Sequence, residues 1–135
     1  PPGFPDALRS TATRFAKEYR SRLRTFEEEY EVAPGLVVTR TGGHTTGHSV
    51  VRHASGGDRL TFAGDLVFAV GFEHPEWYNG FEHDPEEAAR VRLRLLRELA
   101  ETGGLLVATH LPFPSVGHVA VAGDAFRWVP VFWDY

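Results

Sequence analysis

The chain has 135 residues, 42% of them hydrophobic and 24% charged, with a formal charge of −4 and no cysteine. That size and balance suit one soluble domain with a single core, and the mild negative charge excludes the clustered Lys and Arg of a nucleic-acid surface. No apolar run approaches a membrane span, and without cysteine there is neither a disulfide framework nor a thiolate metal site.

Residues 1–5, PPGFP, read as an extended or turn segment. Asp6 can cap a helix. The apolar residues Leu8, Ala12, Phe15, Tyr19, Leu23, Phe26 and Tyr30 then recur at helical spacing, which predicts a helix over 6–30 with Ser10-Thr11 as its weak point. An aromatic stripe of this kind is a packing face, and it needs a partner, which could be a second chain. Pro34-Gly35 is a turn. Leu36 to Arg40 reads as a strand, His48 to Ala54 as the next, and Ser55 to Asp58 as a hairpin turn. Arg59 to Ala63 returns as a strand and ends at Gly64-Asp65.

Residues 66–84 lack periodicity and carry Phe68, Phe72, Trp77, Tyr78 and Phe81 among histidines, glycines and acids. Such a stretch reads as a binding loop or lid, or as aromatics packed over the core edge, and the two readings are compatible. Asp84-Pro-Glu-Glu87 is a helix start, with Asp84 as the N-cap, Pro85 in the first turn and Glu87 closing a capping box. Val91, Leu95, Leu96 and Leu99 form its stripe, with Ala88 and Leu93 at the margins and Gly103 as the stop. Leu105 to Thr109 is a buried strand by composition and ends in His110. The prolines of Leu111-Pro-Phe-Pro114 exclude regular structure. Val116 to Val121 and Phe126 to Phe132 read as two strands around Ala122-Gly-Asp124, and Pro130 places the last at an edge.

The chain is organised around Thr41-Gly-Gly-His-Thr-Thr-Gly-His48, a glycine-rich loop between two strands that carries two imidazoles. Imidazole is the commonest metal ligand and the commonest general base near neutral pH. The simpler reading is a polar turn with incidental histidines. His48, Asp65 and His110 nevertheless share a placement at strand ends, and strand ends gather on one rim of a sheet. Any metal there must be held by nitrogen and oxygen, which suits zinc, iron or manganese. With seven histidines in the chain, spacing alone does not fix a site.

The order of motifs is more specific. GGHTTGH, then a strand–turn–strand to Ala63-Gly-Asp65, then a helix, then Ala108-Thr-His110, resembles the metallo-β-lactamase fold superfamily. It resembles in particular the hydrolases whose motifs read GHTxGH, then GD, then a late His. His110-Leu-Pro-Phe-Pro with Gly117-His118 is similar to a bacterial subgroup with lactonase-like and esterase-like members. The resemblance covers roughly residues 34 to 130, with Gly42 and Thr46 where many members have proline. The superfamily's upstream motif H-x-H-x-D-H does not occur in the chain.

The resemblance implies an α+β fold: the C-terminal half of an αββα sandwich, with a mixed, mostly antiparallel sheet and flanking helices. The expected division is an N-terminal helical segment over 1–33 and the half-sandwich over 34–135. The start at Pro1, without an initiator Met, leaves room for a leader or a longer upstream segment. By resemblance His48 goes to one metal, His110 to a second, and Asp65 bridges both. A complete site holds two zinc ions and an activated water; this chain alone would hold one or none. His44 orients the loop through a hydrogen bond, or is an exposed turn histidine. His118 could contact substrate or satisfy a strand end, and the second is expected; His53, His74 and His83 are expected to lie on the surface or in loops.

The function implied is a metal-dependent hydrolase of a lactone, ester or similar carbonyl substrate, in an incomplete form with weak or no activity. Its partners would be a small-molecule substrate and either a second copy or a missing N-terminal half. Neither nucleic acid nor membrane is expected, and the expected location is cytoplasmic. The alternatives are an inactive remnant serving as an oligomerisation or binding module, and a single-metal site of His48, Asp65 and His110.

Overall fold

The computed structural model describes residues 4–132. Seven strands form one sheet in chain order: β1 (Glu29–Ala33), β2 (Leu36–Arg40), β3 (Ser49–Ser55), β4 (Asp58–Phe62), β5 (Leu105–Val107), β6 (Val116–Ala122) and β7 (Ala125–Pro130). All neighbours are antiparallel except β4 and β5, which run parallel. A parallel pair needs a crossover, and α2 (Pro85–Thr102) supplies it. The mixed, mostly antiparallel sheet expected from the sequence is present, and β7 with Pro130 lies at its edge.

The N-terminal reading needs correction. Helix α1 spans Phe4–Glu18, so Phe4 and Pro5 are helical, Asp6 lies inside the helix, and residues 1–3 fall outside the described part. The chain then makes a short 3₁₀ turn at Arg20–Arg22 and enters β1 at Glu29, so the helical segment does not extend to residue 33. Tyr30 falls in helical phase with Phe26, but Glu29, Tyr30, Glu31 and Val32 alternate polar and apolar, which is the strand period. Sheet pairing decides between the two: Glu29 and Tyr30 lie opposite Thr39 and Val38, and the Arg40 amide donates to the Glu28 carbonyl at 2.7 Å. The stripe on α1 faces solvent, with Leu8 and Phe15 exposed, as is Tyr19 just beyond the helix.

Helix α2 is built as its sequence suggests. The Asp84 carboxylate accepts from the Glu87 amide at 2.9 Å, and Gly103, at φ 67°, ends the helix and donates to the Leu99 carbonyl at 3.0 Å. Val91, Leu95, Leu96 and Leu99 are buried against Val50, Leu106, Val119 and Phe126 on one face of the sheet. Arg92 is also fully buried, which the apolar stripe did not indicate. Its guanidinium lies over the Phe68 ring, 4.4 Å from the centroid, and pairs with the buried Glu82 carboxylate.

The opposite face of the sheet is different. Residues in register across a sheet share a face. Tyr30, Val38, Val51, Phe62, Val107 and Val116 pair in succession from β1 to β6 and form one apolar row. None of the six is buried, and Phe62 is 42% exposed. Among the described residues one face is therefore covered by a helix and the other is not, which is half of a sandwich.

Two substitutions test how α2 is set. Asp84→Ala removes the cap, and chemical denaturation should show a loss of about 1 kcal/mol. Gly43→Ala should cost more, about 2 kcal/mol or above, because φ is +79° and a Cβ would lie 2.7 Å from Ala88 Cα. Equal stability of the Gly43 variant and the parent would show that the helix start is free to shift.

Candidate metal centre

The loop from Thr41 to His48 is closed by its own backbone. The amides of Thr41 and Gly42 both donate to the His48 carbonyl, at 2.7 and 3.1 Å, and the His48 amide donates to Thr45 at 3.0 Å. It is also tied to the start of α2. The Gly43 amide donates to the Glu87 carboxylate at 2.9 Å, the Asp84 amide to the Gly43 carbonyl at 3.0 Å, and the His83 amide to the His44 carbonyl at 2.9 Å. The expected capping box is thus half made: Asp84 caps the helix, while Glu87 holds the glycine loop instead of returning to Asp84. A depression of about 400 Å³ beside this junction is lined by Glu28, Arg40, Thr46 and His83, and includes neither Asp65 nor His110.

Strand register brings the other candidates to the same rim. Asp65 and His110 follow the ends of the parallel pair β4 and β5, where Phe62 lies opposite Val107. The Thr109 amide donates to the Gly64 carbonyl at 3.2 Å, which holds the two strand exits together. Val51 is opposite Phe62 on β3 and β4, and His48 and Asp65 each lie three residues beyond that last pair at the same end of the strands.

The carboxylate of Asp65 lies between two imidazoles. Its Oδ1 is 3.3 Å from His110 Nε2 and its Oδ2 is 3.4 Å from His44 Nε2. The His44 and His48 rings meet edge to face, with centroids 5.8 Å apart. His44 is therefore neither free nor exposed: its side chain is mostly covered, and its Nδ1 is buried without a hydrogen-bond partner. His48 Nδ1 lies 2.7 Å from Thr41 Oγ1. The Thr41 hydroxyl has one proton and also reaches the His48 carbonyl at 3.1 Å. The hydroxyl and Nδ1 are thus hydrogen-bonded, with the donor set by the His48 tautomer. Nε2 points at Gly64, where a Cβ would come within 3.1 Å of it.

Burial pushes His48 below the ordinary histidine range, and the neighbouring His44 adds to this; Asp65 and the Ala63 backbone oppose it. The imidazole is thus held neutral at pH 7, the form that binds a metal.

Imidazole nitrogen and carboxylate oxygen are zinc ligands, at about 2.1 Å from the metal. A tetrahedron with such bonds has edges of about 3.4 Å. The 3.3 Å between Asp65 and His110, the expected ligand pair in contact, is close to that edge. The donor count falls short, since among the described residues no group of three or more His, Asp or Glu side chains is arranged to hold one ion. The residues fit the metal in type, Asp65 and His110 fit it in spacing too, and the shell is left incomplete.

Of the remaining histidines, His118 Nδ1 lies 3.0 Å from the Gly103 carbonyl, a strand-end contact. His74 stacks on Trp77 at 3.9 Å in the aromatic loop. Neither is at the rim. The buried Arg92 is the residue sequence reasoning missed, and its only signal is an arginine inside the apolar stripe of a helix.

Fold and rim together define a half-sandwich with histidine and aspartate side chains at the strand exits, and the chain belongs to the Metallo-beta-lactamase superfamily, which matches residues 2–110. Similar solved structures include the hydrolase AbOPH of the beta lactamase superfamily, 30% identical with a TM-score of 0.82 over 89% of this chain and 43% of that one. AidC, a dizinc quorum-quenching lactonase in complex with a product, is 25% identical with a TM-score of 0.86 over 98% of this chain and 47% of that one. A probable metal-dependent hydrolase from Staphylococcus aureus is 25% identical with a TM-score of 0.64 over 69% of this chain and 34% of that one. The chain spans less than half the length of each. No curated protein matches it. No helix among the described residues is long and apolar enough to cross a membrane.

The state of His48 has a consequence for the metal-free chain. A folded pKa below the unfolded 6.5 means that the unfolded state takes up the proton first as pH falls. Its contribution to stability is present above pH 6.5 and is lost as pH falls through the folded value. Urea titrations from pH 8 to 5 should show this decline, and His48→Gln should flatten it. An unchanged slope in the variant would assign the decline to other groups.

Proposed function

We propose that this chain contributes the C-terminal part of the active site of a metal-dependent hydrolase that acts on a lactone, ester or similar carbonyl substrate. The observation that carries the reading is the Asp65 carboxylate, with one oxygen against His110 Nε2 and the other against His44 Nε2. Its two oxygens face opposite ways, which suits a ligand shared between two ions. In this reading Asp65 bridges, His48 and His110 each serve one zinc, and His44 holds Asp65 in place from inside the loop. Zinc supplies Lewis acidity and makes water a nucleophile at neutral pH. The chain's own residues keep the His48 imidazole neutral, fix the carboxylate and set the rim. The product bound by AidC supports a small carbonyl substrate, and its two zinc ions support the metal.

The remaining ligands must come from outside the described residues, and the uncovered sheet face indicates where. Val51, Phe62 and Val107 of the apolar row are each three positions from His48, Asp65 and His110. A second layer that covers the row is thereby brought beside the donors. Its source is the rest of a longer chain or a second copy.

Calorimetric zinc titration tests the site. The chain alone should bind weakly, Asp65→Ala and His110→Ala should each abolish the remaining heat, and turnover of an N-acyl homoserine lactone should be low and sensitive to a chelator. Hydrolysis that survives chelation would reject a metal mechanism. Tight binding insensitive to either substitution would reject these ligands.

The covering layer has its own test. In sedimentation velocity at micromolar concentration the chain should self-associate, because large exposed apolar patches drive association. Phe62→Ser should shift it toward monomer. A parent chain that stays monomeric throughout would show that the row needs no cover.

A further inference from the structure

The strongest feature that the proposed site does not use is the guanidinium of Arg92. It is fully buried, as is the Glu82 carboxylate it pairs with. Arg92 Nε donates to the Leu66 carbonyl at 3.0 Å, and Nη1 donates to the carbonyls of Pro75 and Trp77, both at 2.8 Å. Nη2 donates to Glu82. These partners span the aromatic loop from its first turn to its end, and Leu66 is the residue after Asp65. Burying a charge is costly, and an apolar side chain of similar volume would fill the same space with no desolvation penalty. A core-filling role alone gives no reason for a planar fork with donors in several directions.

We propose that Arg92 is a positioning residue for the site: its fork fixes Asp65 through the Leu66 carbonyl and ties the aromatic loop that follows to the same turn. The link is short. Gly64, Asp65 and Leu66 form one 3₁₀ turn, so the turn that presents the carboxylate is held on its far side by Nε. The other arm holds Trp77, which is half exposed and stacked on His74, while Tyr78 is more exposed still. One guanidinium anchored in α2 thereby links the turn that carries the carboxylate to the loop that carries Trp77. For a carbonyl substrate with an apolar portion, Arg92 couples where the reacting group sits to where the apolar portion lies. This clause rests on the hydrolase reading; the geometric claim does not.

The test uses the full chain without metal. Arg92→Lys keeps the charge and loses the fork. Glu82→Gln keeps an acceptor and removes the counter-charge, and serves if the lysine variant does not fold. Hydrogen–deuterium exchange over residues 64–82 should quicken by roughly ten- to a hundredfold in either variant, as expected when buried acceptors lose a charged donor. Exchange in β3, β5 and β6 should not change. The ring resonances of His44 and His110, which lie against Asp65, should shift in the same variants. Uniform acceleration across the sheet would make Arg92 a core residue only. Loop acceleration with unmoved histidine resonances would break the link to Asp65. A parent chain that binds no zinc would count against the hydrolase reading and leave the exchange result standing.

Discussion

The contact on which the rest depends is the approach of Gly43 to the first turn of α2. A Cβ at Gly43 would sit 2.7 Å from Ala88 Cα and 2.9 Å from the Ala88 nitrogen, so only glycine allows the loop to seat there. The helix N-terminus has unpaired amides and needs caps. It receives one from Asp84, and its Glu87 carboxylate then accepts the Gly43 amide. The loop and the helix thus complete each other's hydrogen bonding. Because α2 is anchored in the core by Val91, Leu95, Leu96 and Leu99, that core rigidity passes directly to the loop carrying His44 and His48. The glycines of the motif are there for packing as much as for flexibility.

A second constraint is topological. Side chains far apart in sequence meet only if their strands end together. The parallel pair β4 and β5 makes two chain exits point the same way, and the antiparallel β3 begins where β4 ends. Asp65, His110 and His48 are each just beyond those ends, so their placement on one rim follows from register and needs no specific attraction. What register leaves open is the last ångström or two. The Thr41 hydroxyl, the Gly64 backbone and the 3₁₀ turn at Gly64–Leu66 decide where the ring and the carboxylate face.

This division explains what could be read from the sequence. The strands from β2 onward, helix α2 with its cap and stop, the edge strand and the shared rim all rest on local signals: period, turn residues and motif order. The end of α1 does not. Tyr30 satisfies helical phase and strand alternation at once, and only pairing with Val38 settles it. His44 was open between two roles because nothing local says that its Nε2 will meet Asp65. Arg92 is the clearest case. Its partners, Leu66, Pro75, Trp77 and Glu82, lie 10 to 26 positions away with no regular spacing, so a charge inside an apolar stripe is the whole of its signature.

The position of the uncovered row relative to the donors bears on how such a site works. Buried electrostatics are strong because water is excluded. The described residues leave the Asp65 side chain 39% and the His110 side chain 56% exposed, so at this rim their interaction with each other and with a cation is screened. The same rim is bordered by Val51, Phe62 and Val107, whose face has no cover. A layer laid on that row would dry the face and exclude water from the carboxylate at once. The hydrophobic term that drives the covering is thus coupled to the electrostatic term that tightens the site. Assembly and metal affinity should then rise together, since each removes the water that weakens the other.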